Sequence, residues 1–480
     1  MELAEDEGFE PSIGFPIHAF QACALGRYAN PPDEHTILTD MTTRFNRVPL
    51  RFKNQNSKLF YVVFSICLFA IKFIFVITRE SEKSFMTFDS EGYLDLSKFF
   101  PSSFLVPIDE SLKEMSLLRT PGYPIFLWIL NENPVTVALI QCSIQILMAY
   151  VAVLIYREVY TRSSIRQEKI VFALVSVETS LTVHSFFLLS DLLFAFFISL
   201  FMFFLIKSIK VKETSNITLL LAALVMIIAV AIRPVGIVLF VYLPLLAMTT
   251  REFKKIMLLL CTLVVWTAIW SGYNYLRADI FTYSTIQNHN LLMFEGAGAK
   301  AESQGINLRV SQKEELQLRE QEIGSEVTLN KADSYSFKRG IQLITENFDG
   351  FVKMHFVGML KIVYGPNQGE AIRFLTAGER VRAESDSEKL LVTSMFILTF
   401  LIGTTSIFAL LYFIFVKGIG NWIAQLTIIF MIFSSGSQAY GRFRAPIAVF
   451  MVVLSVGLVA RLLHRTTGMN CIKLSFRERS

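Results

Sequence analysis

Long apolar runs dominate the chain, broken by short basic stretches and by two long mixed segments. Read at about 20 residues per crossing, the runs predict helices at 59–78, 134–156, 168–185, 189–206, 217–232, 234–249, 254–273, 390–416, 421–437 and 445–463. The runs are continuous and do not alternate, which argues against an outer-membrane barrel. Residues 351–364 (FVKMHFVGMLKIVY) are apolar on one side only and predict an interfacial helix. The pattern divides the chain into a tail 1–58, a transmembrane region 59–273 carrying the loop 79–133, a loop or lid region 274–389, a second transmembrane region 390–463 and a tail 464–480.

Basic residues set the expected orientation. They cluster before the first run (Arg44, Arg47, Arg51, Lys53, Lys58), between the second and third (Arg157, Arg162, Arg166, Lys169), and after the fourth (Lys207, Lys210, Lys212). Further clusters follow the sixth (Arg251, Lys254, Lys255) and the last (Arg461, Arg465, Lys473, Arg477, Arg479). All of them share one side only if the number of crossings is even and both termini are inside. The segments 79–133 and 274–389 are then outside. Residues 1–40 contain turn formers and no basic region ahead of an apolar one, so a signal peptide is not expected there. They read as a cytoplasmic tail, with Met41 as an alternative start.

Composition sharpens the class. Of the 480 residues, 53% are hydrophobic and 18% charged, against about 25% charged in a soluble domain. A soluble enzyme, a disordered chain and a secreted disulfide scaffold are excluded. The net charge of +5 sits largely at the ends of the runs, so no nucleic-acid partner is expected. The five cysteines (Cys23, Cys67, Cys142, Cys261, Cys471) show no metal-ligand spacing, and Cys67, Cys142 and Cys261 read as buried thiols within apolar runs.

The predicted topology gathers unusual polar residues on the outer face. Asp89, Glu91 and Tyr93 stand in FDSEGYLDL of the first loop, and Arg119, Pro121, Gly122, Tyr123 and Pro124 in LLRTPGYPIF near its end. Asp191 opens a run in FLLSDLLF, Arg233-Pro234 marks a hairpin, and Arg442 and Arg444 stand in AYGRFRAPI before the last run. Ionisable groups at membrane depth are costly and face a cavity or a partner. Arginine suits phosphate oxygens, and a nearby carboxylate can serve as a general base. Simpler readings stand beside this one. Asp89, Glu91 and Asp95 fit the solvated face of a short helix, and Asp191 and Arg233 fit a structural ion pair. Arg119, Arg442 and Arg444 fit snorkelling to headgroups, and the prolines fit a helix entry. Co-location on one face favours the site.

With these motifs in this order, residues 59–463 resemble the C-type polytopic glycosyltransferases that use polyprenyl-phosphate sugars. The nearest groups are the bacterial relatives of the protein O-mannosyltransferases and the lipid A aminoarabinose transferases. The resemblance implies an all-α polytopic membrane protein, a GT-C-like bundle of about 10–11 transmembrane helices, with an amphipathic region in the first outer loop and a small outer domain. It implies a polyprenyl-phosphate sugar donor, a lipid, glycan or protein acceptor, membrane lipids as surroundings and a bacterial plasma-membrane location. On this reading Asp89 is the base, and Arg233, Arg442 and Arg444 meet the leaving phosphate. Arg119 and Tyr123 shape the acceptor side, with Glu91, Tyr93 and Asp191 also in the site. The family more often has Glu where Asp191 stands. No cofactor is implied, and the Asp-Ser-Glu spacing leaves a divalent metal open. Three other classes compete: a transporter or flippase of lipid-linked sugars, an O-antigen ligase or polymerase, and a structural membrane protein. The first would show broken helices at mid-membrane, the second a large late outer loop, and the third leaves the polar clustering unexplained.

Overall fold

The apolar runs fold as helices, and among the described residues every regular element is helical. The structure is a computed structural model. It describes residues 55–105, 110–161, 163–210, 216–250, 252–324, 328–414, 418–435 and 441–477. The described residues from 59 onward form one compact unit. The expected tail falls outside the described residues as far as residue 54.

Among the described residues, six helices are long and apolar enough to cross a membrane: Lys58–Ile77, Pro134–Val159, Ser190–Lys210, Phe253–Ala278, Asp386–Phe413 and Gly441–His464. Asn216–Ile232, Pro234–Thr249 and Gly420–Ser435 are shorter apolar helices. The protein is an all-α polytopic membrane protein. The helices are α1 (Gln55–Ile77), α2 (Phe88–Lys98), α3 (Glu110–Leu118), α4 (Gly122–Ile129), α5 (Pro134–Val159), α6 (Ile165–Val177) and α7 (Thr179–His184). They continue as α8 (Ser190–Lys210), α9 (Asn216–Ile232), α10 (Leu239–Thr249) and α11 (Phe253–Ala278). The last group is α12 (Ala297–Gln304), α13 (Leu308–Ile323), α14 (Leu329–Glu346), α15 (Phe348–Tyr364), α16 (Gln368–Leu375), α17 (Asp386–Ile414), α18 (Ile419–Ser435) and α19 (Ala445–Arg477). The last helix therefore runs on through most of the expected tail.

Two expectations need correction. The run 168–185 is not one helix. It breaks at Glu178, whose backbone leaves the helical region and whose Oε2 accepts the Leu181 N–H at 2.9 Å to start α7. Apolarity alone did not reveal that an acid here caps a new helix. The thiols also differ: Cys142 is buried, but Cys67 and Cys261 are exposed on the outer sides of α1 and α11. A membrane helix can present cysteine to lipid as readily as to the core.

α8 and α19 form the centre, and both are among the most buried membrane-length helices. Arg444 lies there, fully buried, with its Nε 2.8 Å from Glu178 Oε1 and its Nη1 donating to the Val363 carbonyl at 2.6 Å. This pair ties the break after α6 to the start of α19 and the end of α15. The segment 274–389 is helical and has its own small core of Leu292, Met293 and Leu343. Within it, fully buried Glu315 is held by Lys300 at 3.0 Å and Arg339 at 2.8 Å. The expected interfacial helix is α15. Phe348, Val352, Phe356 and Leu360, four residues apart, are exposed along one stripe, while Gly358, Ile362 and Val363 are buried.

The buried Arg444–Glu178 pair predicts a stability signature. Arg444→Met strands the Glu178 charge and costs about 3–5 kcal/mol. Adding Glu178→Gln, which retains a capping oxygen, recovers most of the loss. Thermal unfolding of the purified protein in detergent measures both, and equal losses in the single and double variants contradict the pairing.

Candidate functional site

The site forms where the first loop meets the ends of three core helices. Thr87 starts α2, its N–H bonded to Ser90 Oγ at 2.9 Å, which puts Asp89 in the first turn, where a helix favours an acid. Ser90 Oγ donates to the Leu188 carbonyl at 3.0 Å, and the Leu188 N–H donates to the Phe85 carbonyl at 3.0 Å. These bonds dock the loop against the turn before α8, whose first turn carries Asp191. Tyr93 completes the docking through its hydroxyl, 2.9 Å from Ser190 Oγ.

Two close backbone approaches bring in the arginines. At Gly122 a Cβ would stand 2.7 Å from the Ala231 backbone, so the R-T-P-G-Y-P element lies against the end of α9 beside Arg233. At Gly441 a Cβ would stand 2.4 Å from Asn367 Oδ1 and 2.6 Å from the Gly365 carbonyl, so the turn Gly441–Arg444 lies against the segment after α15. Larger residues at these two positions would push the arginines away.

The result is a chain of alternating charges. Arg119 Nη2 lies 2.7 Å from Asp89 Oδ1, and Arg442 Nη1 lies 2.5 Å from Asp89 Oδ2. Arg442 Nε lies 3.0 Å from Asp191 Oδ2, and Arg233 binds Asp191 Oδ1 from the other side. Three arginines and two aspartates leave one positive charge in excess when all are ionised. Exposure falls inward: Asp89 and Arg119 side chains are 21% and 20% exposed, Arg442 12% and Asp191 0%. Arg119 also stacks over the Tyr93 ring, 4.6 Å from its centre. Burial opposes the charge on Asp89, but Arg442 and Arg119 outweigh it and hold the carboxyl well below the usual carboxylate range.

Of the residues expected in the site, Asp89, Tyr93, Arg119, Asp191, Arg233 and Arg442 come together. The structural reading of Asp191 and Arg233 as partners holds as well, since they pair within the larger chain. Tyr123 lies behind the site, fully buried, with its hydroxyl donating to Gln141 Oε1 at 3.1 Å and its ring edge-on to Tyr93. Glu91 is exposed, about 200° around α2 from Asp89. The two acids therefore do not converge as a metal-binding pair. Arg444 is taken away by Glu178. In a turn with three residues per revolution, positions two apart point in well-separated directions, so Arg442 reaches the site and Arg444 the core.

Comparisons with known proteins add little to this geometry. No family model and no curated protein matches the chain. Among solved structures it is similar to ArnT from Cupriavidus metallidurans in the apo state. The identity is 12% and the TM-score 0.38, over 83% of this chain and 77% of that one.

Sequence reasoning missed the polar groups beneath the site. His184 is fully buried, its Nδ1 2.7 Å from the Ser180 carbonyl and its Nε2 without a partner, within electrostatic reach of Asp191 and Glu370. Gln141 Nε2 donates to the Phe187 carbonyl at 2.6 Å. Buried Lys72 binds Gln145 and lies 3.0 Å from Ser185 Oγ. Each interrupts an apolar run, which was the available signal.

The lowered acidity range of Asp89 has a testable sign. A depressed carboxyl contributes stability above its unfolded value of about 3.9 and loses it as pH falls through the folded value. The gap in unfolding midpoint between wild type and Asp89→Asn should stay constant above about pH 5 and shrink in more acidic solution. A gap that widens on acidification contradicts the ion pairing.

Proposed function

We propose that the protein is a membrane glycosyltransferase. It moves a sugar from a polyprenyl-phosphate donor to a lipid, glycan or protein acceptor at the outer face of a bacterial plasma membrane, with both termini inside. The observation that carries this reading is the Arg119–Asp89–Arg442–Asp191–Arg233 chain. It has a positive excess, an exposed edge and a carboxylate at that edge. Its members stand at helix ends, not mid-helix, which favours surface chemistry over mid-membrane transport.

The reaction follows from these groups. The acceptor hydroxyl gives its proton to Asp89, and its oxygen forms a bond to the anomeric carbon. The bond from that carbon to the phosphate oxygen breaks, and polyprenyl phosphate leaves with the electron pair. One displacement inverts the carbon. With both oxygens held by guanidiniums, Asp89 is a weak base. A donor phosphate that competes for Arg442 would release one oxygen and restore basicity, which couples donor binding to base activation. Arg442 and Arg233 would then offset the charge that develops on the leaving group.

Undecaprenyl phosphate binding to the purified protein tests the anion site. Arg442→Lys should weaken it about tenfold or more, because an ammonium lacks the planar fork. Unchanged affinity in both Arg442→Lys and Arg233→Lys defeats the reading. Asp89→Asn should bind the probe yet lower transfer about 10²–10⁴-fold, read by mass spectrometry of surface glycolipids and glycoproteins with and without the gene. For the orientation, reporter fusions after Thr250 and after Ser480 should read cytoplasmic and one near Gln304 exterior. An exterior signal at Ser480 would put the site on the wrong face.

A further inference from the structure

At the end of the bundle away from Asp89, three helices leave a space that the transfer chemistry does not use. α6, α17 and α19 diverge around a groove of about 560 Å³, within the roughly 300–1,000 Å³ typical of small-ligand sites. Its walls are apolar, with Leu174, Leu401 and Val459 among them. Leu401 is 56% and Val459 45% exposed, so the groove opens on the outside of the bundle. Both lie in helices of membrane-crossing length and apolarity. The hydroxyls that line it are satisfied: Thr405 donates to Ser455 at 2.9 Å. Beside Leu398, where α6 has ended, Thr179 bonds Thr399 at 2.8 Å and joins α7 to α17.

One end of the groove is polar. Arg166 and Gln167 open α6 there, and His464 lies across from them on α19. The Arg166 side chain is exposed and makes no ion pair with any described residue. The nearest acid on its helix, Glu168, is engaged by Arg157 at 2.7 Å and Ser163 at 2.8 Å. An apolar slot that faces the bilayer, with a cation and an imidazole at its rim, matches an acyl chain joined to a phosphate.

We propose that this groove is a binding site for an anionic phospholipid of the membrane, with its phosphate at Arg166 and His464 and one acyl chain between α6, α17 and α19. The groove shares no lining residue with the Arg119–Asp89–Arg442–Asp191–Arg233 chain. His464 lies at the far end of the membrane-length stretch Gly441–His464 from Arg442, and Arg166 lines the groove with it. The lipid fills a gap that the helices leave open and so ties the short helix α6 to the rest of the bundle. The charge rule is the one that draws basic residues to anionic headgroups, while hydrocarbon burial holds the chain.

The test uses the full-length protein in a neutral detergent, with thermal unfolding followed against added phosphatidylglycerol or phosphatidylcholine. Phosphatidylglycerol should raise the midpoint saturably, at about fivefold lower concentration than phosphatidylcholine, the factor for one interfacial cation. Arg166→Gln lies on an exposed surface and should keep the basal midpoint while losing that preference. Ala460→Phe, which fills the groove, should abolish the response to both lipids. A phosphatidylglycerol preference undiminished in Arg166→Gln overturns the proposal, whether or not Ala460→Phe folds. Undecaprenyl phosphate displacing phosphatidylglycerol at lower concentration would overturn it too, by assigning the groove to the donor. Because Asp89, Arg233 and Arg442 are untouched, failure here leaves the transferase reading intact.

Discussion

Asp191 is a charge buried without access to water, and the arrangement around it follows from that constraint. A carboxylate at 0% exposure needs cations, and it has two, Arg233 and Arg442. Arg442 in turn reaches Asp89, and Asp89 reaches Arg119. Each ion is acceptable only because its neighbours in the chain are present, since a lone buried charge costs several kcal/mol. The first loop, the α9–α10 hairpin and the turn before α19 are therefore held to one another by electrostatics as well as by packing. The glycine contacts at Gly122 and Gly441 let the backbones come close enough for the guanidiniums to reach.

The same contacts that position Asp89 also suppress its basicity. The site's three guanidiniums carry one charge more than its two carboxylates, an excess that would attract an anion. An anion entering at the exposed edge would exchange one set of arginine partners for another without leaving any ion unpaired. Such an exchange is less costly than assembling cations around a phosphate in water, because the donors are already oriented. The buried layer beneath supports this geometry with hydrogen bonds. Tyr123 on Gln141 and Lys72 on Gln145 and Ser185 satisfy polar groups that apolar neighbours could not.

The break at Glu178 has a related cause. An acid in the middle of an apolar run is acceptable when one oxygen caps a helix and the other meets Arg444. This divides one expected span into α6 and α7 and turns His184 and the Ser190–Asp191 pair toward the site.

Runs of apolar residues and the basic clusters between them were enough to read an all-α membrane protein, to locate its membrane-length helices and α15, and to name six of the residues that meet. Those features are local. A helix needs only its own hydrogen bonds and an apolar surface, and both can be read along the chain. Partnership cannot be read that way. Nothing in GRFR distinguishes Arg442 from Arg444, yet a turn with three residues per revolution sends the first to Asp89 and Asp191 and the second to Glu178. Nothing in FDSEG separates Asp89 from Glu91 until α2 faces one of them inward. The tertiary structure decided these matters because the stability of a buried charge depends on what lies across from it, and that is set by segments hundreds of residues away.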